Sequence, residues 1–536
     1  MADGAERLVR NARGLARAAL ADIAAAALTL VFGIACAAFV WQPTLASFAD
    51  DSVSYLVMAQ VFSPYQAASP AVTAAFAREA FYPPLFPGLL ALAGAAHDIA
   101  WAHGFTALLL AAALPVLYAL GVRWLESRWV AAFAVLCTAL LPALWVNAKG
   151  ILSEPLFCAL LLALLLAMER DESRRRTALL AVLLAALALT RTAGLAVAGF
   201  YALWALTRRV QPLRSRFLSL VPAIAAGAAY AAWIAVRPAE TADDNMRIVL
   251  ERAGAFLGGE QPWAAMGESL ARQARAVAEA WVGGLVVYWI EGRPVRLALC
   301  GLVGALSLVG LVLRLRAGKP DAWLMAGYLA LYLVWPFYDQ MGRFLFPVLP
   351  VLVLYAFLAS GAAAKTLGRR PALTQAAIGL LMLSLAVPAM AFIHQRAIAR
   401  GPYVQITDWY RVPGLSEARA RSEIHLGLLA DMAAIRALTR HEHRVMWVVP
   451  SYVALLADRR AVRAPAAELA PEDYLRAVRA AQPDYVFLSF YHPRDTLETR
   501  AWRTGMRALD GQGEIVHAYT IPGGTVVSSV LIKVRR

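Results

Sequence analysis

The sequence predicts an α-helical polytopic membrane protein of about 11 transmembrane helices, followed by a small extracytoplasmic α/β domain. Three observations carry this expectation. Hydrophobic residues make up 60% of the 536 residues and charged residues only 16%, against about 45–50% and about 25% in a soluble domain. Charge-free runs of about 17–22 residues recur, the length that spans a bilayer. Beyond about residue 393 the composition changes: charge becomes frequent and the apolar runs shorten. The same figures exclude intrinsic disorder and a collagen-like repeat.

The net charge is +15, from 51 basic and 36 acidic side chains. In a soluble protein such a balance points to nucleic acid. Here the basic residues cluster between apolar runs, as cytoplasmic loops do, so no nucleic-acid partner is expected. Cys36, Cys137, Cys158 and Cys300 all sit inside apolar runs with no C-x-x-C pair. They read as small buried hydrophobes rather than as a disulfide framework or metal site.

The first apolar run, 19–41, follows Arg7, Arg10, Arg13 and Arg17. It exceeds the roughly 7–15 residues of a signal-peptide core, so it reads as an uncleaved span with a cytoplasmic N-terminus. Ten more runs follow, at 104–121, 130–148, 151–168, 177–190, 193–207, 217–236, 297–313, 322–338, 344–361 and 372–393. The inner loops then hold about 20 basic residues, among them Arg123, Arg174–Arg176, Arg208, Arg314 and Lys365. The short outer loops hold about four: Arg78, Lys149, Arg191 and Arg343. That asymmetry follows the positive-inside rule. Residues 177–207 are read as two short spans broken at Thr190–Gly194, because one long span would put a basic flank outside.

The transmembrane domain is therefore expected over 1–393, with outer loops at about 43–103 and 238–295, and the extracytoplasmic α/β domain over 394–536. In that last segment 429–440, 472–481 and 496–509 read as helices. Val445–Pro450, Tyr485–Phe490, 514–521 and 525–535 read as strands. The stretch Arg459–Arg463 reads as a solvated turn. No Gly-rich phosphate loop, Ser/His/Asp spacing or zinc signature stands out.

A few charges remain at the outer ends of apolar runs. Asp50 and Asp51 follow the first span, where a carboxylate can take a proton from an acceptor hydroxyl or hold a metal. The alternative is a cap, with Asp51 or Ser52 starting a helix at Val53. Tyr82-Pro83-Pro84-Leu85-Phe86-Pro87 marks an ordered approach to the next helix. Glu154, between Ser153 and Pro155, suits a helix start with Ser153 as its cap. Arg191 sits at the tip of the short hairpin and Arg343 at an outer helix start. A guanidinium at either place can hold a lipid phosphate. The predicted topology puts all of these at one outer face.

With those residues in place, the sequence resembles the GT-C polytopic glycosyltransferases, and within them the family 39 branch of protein O-mannosyltransferases and aminoarabinose transferases. The family's Asp-Glu-x-x-Tyr is similar to Asp51-Ser52-Val53-Ser54-Tyr55, and its Tyr-Pro-Pro-Leu-aromatic-Pro to Tyr82–Pro87. Its Ser-Glu, Thr-Arg-x-x-Gly and Arg-Tyr-x-x-Pro-x-x-Pro look like Ser153-Glu154, Thr190–Gly194 and Arg343–Pro350. Together the motifs span about residues 50–350, in the family's order. Ser52 replaces the second acid, which bears against a metal shared by two acids there, and Phe344 replaces a tyrosine.

The resemblance implies a glycosyltransferase of the cell envelope, in the plasma (bacterial inner) membrane. It would move a sugar from a polyprenyl-phosphate donor to a hydroxyl of a glycan, lipid or protein on the extracytoplasmic side, with inversion. Asp51 would be the general base, with Asp50 as second choice. Arg191 and Arg343 would hold the donor phosphate, and Tyr55, Tyr82 and Glu154 would position substrate. No cofactor is implied with certainty; a divalent metal stays open. Trp281, Tyr288 and Trp289 read either as a lining for the lipid tail or as an interfacial aromatic belt. A lipid or glycan transporter of the envelope is the alternative reading, since many spans and intramembrane arginines suit it too.

Overall fold

The computed structural model describes residues 20–38, 41, 45, 50–125, 127–148, 150–207, 217–238, 251, 262–286, 293–335, 337, 340–398, 415–466, 469–489, 496–520 and 527–535. Arg7–Arg17, Lys149, Arg208–Arg216, Tyr288 and Trp289 lie outside the described residues.

The chain is mostly helical, with a small sheet near its C-terminus. Each of the predicted apolar runs carries helix. Among the described residues, five helices are long and apolar enough to cross a membrane: Leu20–Ala38, Ile99–Leu125, Pro294–Arg316, Met341–Thr366 and Pro371–Ala391. Shorter apolar helices include Glu154–Met168, Ala193–Thr207 and Val221–Val236. The run at 130–148 is not one helix, as expected, but two: Arg128–Ala139 and Pro142–Ala148. Pro142 has no N–H to continue the ladder, so the chain turns at Leu140–Leu141.

Burial shows which helix is the centre. The apolar window of Met341–Thr366 is 94% buried and that of Leu20–Ala38 only 17%. The central helix therefore places Arg343 at its N-terminal end. Helix Arg293–Arg316 packs closely along it at Gly310, where an added Cβ would lie 2.2 Å from the Tyr355 carbonyl oxygen. The predicted break in 177–207 falls at Arg191–Thr192, between helices Arg174–Thr190 and Ala193–Thr207. Gly194 makes this turn possible, since a Cβ there would meet the Leu187 carbonyl at 2.3 Å.

The C-terminal sheet has five strands in the order β2-β1-β3-β5-β4. They are β1 (Arg444–Trp447), β2 (Arg460–Arg463), β3 (Tyr485–Ser489), β4 (Gly513–Thr520) and β5 (Val527–Val534). β1 runs parallel to β2 and β3, while β5 runs antiparallel to β3 and β4. Both faces are covered, so successive residues alternate between two cores. Met446, Val486, Leu488 and Ile532 pack with Tyr474 and Val478 of helix Pro471–Ala481. Val445, Trp447, Tyr485 and Phe487 instead share a core with Val53, Tyr55 and Leu56 of helix Asp50–Phe62.

Two expectations need correction here. The first strand ends at Trp447 because Pro450 opens a short helix, Pro450–Tyr452. Arg459–Arg463 is not a solvated turn: Arg460–Arg463 forms β2, and Arg459, just before it, is buried. The Arg459 guanidinium satisfies carbonyls at the end of helix Leu415–Leu438, donating to the Arg436 and Thr439 oxygens. The four cysteines are buried free thiols.

Candidate active site

Five distant parts of the chain converge at the N-terminal end of the central helix. Helix Asp50–Phe62 supplies Asp51 and Tyr55, four residues apart and so on one face. The Tyr82–Pro84 segment supplies Tyr82. Glu154 opens helix Glu154–Met168, Arg191 ends helix Arg174–Thr190, and Arg343 lies in the short helix Met341–Leu345.

Their side chains close a ring. Arg343 donates from Nη2 to Asp51 Oδ2 at 2.5 Å, and from Nε to Glu154 Oε1. Arg191 Nη1 reaches the same Glu154 oxygen at 2.6 Å and donates to Ser153 Oγ at 3.2 Å. Ser153 Oγ is hydrogen-bonded to the Tyr55 hydroxyl at 2.8 Å, which returns the ring to the helix carrying Asp51. Tyr82 donates its hydroxyl to Asp51 Oδ1 at 2.5 Å, and its ring packs 4.8 Å from that of Tyr55.

The structure thus brings together Asp51, Tyr55, Tyr82, Glu154, Arg191 and Arg343. Asp50 is the first residue of helix Asp50–Phe62, but its side chain lies outside the described residues. The capping alternatives give way. The helix starts at Asp50, so Asp51 and Ser52 fall inside its first turn, and the Asp51 carboxylate turns to Tyr82 and Arg343. Ser153 occupies the cap position of its helix but makes no side-chain cap bond; its hydroxyl serves Tyr55 and Arg191.

Glu154 is fully buried. A lone carboxylate there would be very costly; two guanidiniums and the helix N-terminus offset that cost. Its Oε2 has no hydrogen-bond partner among the described residues. Asp51 is under opposing influences. Burial pushes its pKa up, but Arg343, the Tyr82 hydroxyl and Arg191 outweigh burial and hold the carboxyl below the usual carboxylate range. Burial, reinforced by the Asp51 charge, raises the Tyr82 hydroxyl well above its ordinary value, so Tyr82 remains a proton donor.

Sequence reasoning missed two tyrosines behind the arginines. The Arg191 guanidinium lies 5.9 Å from the Phe344 ring centroid, and Phe344 stacks on Tyr332 at 5.2 Å. Tyr332 donates to the Tyr328 hydroxyl, and Tyr328 donates to the Phe344 carbonyl. Their four-residue spacing on helix Pro320–Val334 is a signal for one shared face, but not for what that face meets. Trp281 lies on helix Pro262–Leu285, is partly buried, donates to the Cys300 carbonyl at 2.9 Å and packs on Gly304.

Among the described residues no group of three or more His, Cys, Asp or Glu is placed to hold a metal ion. Asp51 and Glu154 are bridged by Arg343 rather than facing a shared centre. Among the described residues the donor set at the site does not fit a divalent metal.

No family model matches the chain, and no curated protein sequence matches it. The fold does match solved structures. The crystal structure of ArnT from Cupriavidus metallidurans bound to undecaprenyl phosphate superposes with a TM-score of 0.51 at 13% identity, over 95% of this chain and 97% of that one. The apo state of the same protein gives a TM-score of 0.46 at 13% identity, over 96% and 98%. The likeness is one of fold along nearly the whole chain, and that fold is the GT-C architecture.

Proposed function

We propose that this protein is a glycosyltransferase that moves a sugar from a polyprenyl-phosphate carrier to a hydroxyl acceptor on the extracytoplasmic face of the plasma membrane. The observation that carries the reading is the closed ring of Asp51, Arg343, Glu154, Arg191, Ser153 and Tyr55 at one end of the helical bundle. The shared fold with ArnT bound to undecaprenyl phosphate supports a polyprenyl-phosphate partner. In this reading residues 1–393 form the transmembrane catalytic domain, with the N-terminus cytoplasmic, and 394–536 an extracytoplasmic domain.

The chemistry is a single displacement. The acceptor oxygen attacks the anomeric carbon while the bond from that carbon to the phosphate oxygen breaks. The hydroxyl proton passes to Asp51, and the electron pair leaves with polyprenyl phosphate, which inverts the anomeric centre. Arg191 and Arg343 stabilise the charge that grows on the leaving phosphate. The ion contacts described use two nitrogens of Arg343 and one of Arg191, out of five N–H donors on each guanidinium. Glu154 keeps both arginines in place, and Tyr82 holds the base, with Tyr55 packed against its ring.

A consequence concerns the strength of the base. Paired with Arg343, Asp51 is a weak base. A donor phosphate that shares Arg343 relaxes that pairing and adds negative charge nearby, which raises the Asp51 pKa when the reaction needs it.

The test is turnover by the purified full chain in detergent, given a polyprenyl-phosphate sugar and an envelope extract as acceptor pool. Acceptor-dependent release of polyprenyl phosphate is expected. A chain that only carries lipid or glycan across a bilayer releases none, since detergent leaves no compartments to cross.

A further inference from the structure

Glu79 stands outside the ring, at the end of helix Pro70–Glu79. Its Oε2 accepts the hydroxyl of Ser54 at 2.5 Å, and its Oε1 accepts the hydroxyl of Ser451. Ser54 directly precedes Tyr55 and follows Asp51 by three residues on helix Asp50–Phe62. Ser451 belongs to the short helix Pro450–Tyr452, just beyond β1 of the C-terminal sheet. Both serines are buried. One carboxylate therefore ties the helix carrying Asp51 to Ser451, which lies 372 residues beyond Glu79 in sequence.

The surroundings make this tie firm. Tyr452 and Val453 pack in the same core as Val53 and Leu56. The π-helical turn Val453–Ala457 is braced from behind by Arg459, which donates to the Ala457 carbonyl and to Thr439 at the end of helix Leu415–Leu438. Such turns are frequent at functional sites. The Glu79 carboxylate is itself only partly buried, yet both of its oxygens are taken up by the two buried serines.

We infer that Glu79 is a positioning residue for Asp51, through which the C-terminal α/β unit sets the orientation of the helix that carries the base. The inference rests on the transferase reading for its kinetic readout, and on geometry alone for its structural one.

The experiment compares Ser54→Ala, Ser451→Ala and the double variant in the full chain in detergent. Each single change should lower kcat about 10- to 100-fold, as a displaced catalytic group does. Donor KM should stay within about twofold, because the arginines are not touched. The double variant should be no worse than the poorer single one, since both act through Glu79. Glu79→Gln, whose amide oxygen still accepts a hydroxyl, should recover part of what Glu79→Ala loses. An unchanged kcat, a loss confined to KM, or losses that multiply in the double variant would overturn the inference. Amide hydrogen exchange over residues 50–62 judges it independently of turnover. Faster exchange there in Ser451→Ala is expected; a change confined to the C-terminal sheet would count against it. If the unaltered chain transfers no sugar, the transferase reading fails, and the exchange result alone decides the role of Glu79.

Discussion

Helix Glu154–Met168 has an ion network at each end, and the two are built differently. At its N-terminal end, the outer one in our reading, stand Asp51, Glu154, Arg191 and Arg343. At the other, Arg314 grips Asp321 with two bonds of 2.6 Å and reaches Glu169 at 3.0 Å. Its guanidinium lies 4.0 Å from the Trp124 ring centroid. Trp124 donates to Glu169, and Tyr355 donates to Asp321. These five side chains come from or adjoin helices Ile99–Leu125, Glu154–Met168, Arg293–Arg316, Pro320–Val334 and Leu349–Thr366.

The inner network is closed at its Arg314–Asp321 centre: both Asp321 oxygens are engaged and the Asp321 and Arg314 side chains are 3% and 9% exposed, while Glu169 at its edge is 24% exposed. The outer one is more open: Arg343 and Asp51 are 19% and 22% exposed, and Glu154 Oε2 has no hydrogen-bond partner among the described residues. A saturated cluster pins helices together. One with donors and acceptors to spare is suited to receiving a substrate. The same residue types thus serve cohesion at one end and, in our reading, chemistry at the other.

The comparison breaks if the inner cluster can be dismantled cheaply. Arg314→Ala leaves Asp321 buried without its cation and should cost about 3–5 kcal/mol of stability. Thermal unfolding in detergent measures this, and a variant as stable as the parent would show that the cluster does not pin the helices. The next effect in size is at the other end. Arg343→Ala should weaken donor binding roughly 10- to 100-fold, the worth of a charged hydrogen bond. Competition by free polyprenyl phosphate reads it, and undiminished competition would remove Arg343 from the phosphate site.

The smallest effect is on pH dependence. Asp51 has a lowered pKa in the free protein, so its ion pair contributes fully above the ordinary carboxylate value of about 3.9 and is lost only as pH falls through the lower folded value. The acid limb of kcat/KM, which reports the free enzyme, should therefore lie low. With donor on Arg343 the Asp51 pKa rises, so the acid limb of kcat should lie at higher pH. Coincident limbs would show that donor and base do not share Arg343.

The outer site was largely legible in the sequence because each of its charges is an anomaly. A carboxylate or guanidinium at the outer end of an apolar run stands against a quiet background, and parity of the spans puts such residues on one face. The inner cluster was not legible. Arg314 sits among Arg316 and Lys319, where a basic loop is expected anyway, and its partner Glu169 is 145 residues away. Ser153 was misread because a serine before a helix usually caps it; only the fold brings Tyr55 and Arg191 to its hydroxyl. Glu79 carried no signal at all, because its partners, Ser54 and Ser451, are ordinary residues in sequence. In the C-terminal segment the alternating elements were visible. β2 was not, because Arg459–Arg463 reads as polar until the buried end of helix Leu415–Leu438 takes up Arg459.

The most direct test sets the same substitution in both networks and reads turnover and thermal stability together: Asp51→Asn against Asp321→Asn. Asp51→Asn should lose about 10²- to 10⁴-fold in sugar transfer, with stability changed by about 1 kcal/mol or less. Asp321→Asn should lose about 3–5 kcal/mol of stability, while the folded fraction turns over at close to the parent rate. Full turnover in Asp51→Asn, or a folded Asp321→Asn chain as inactive as Asp51→Asn, would contradict the account.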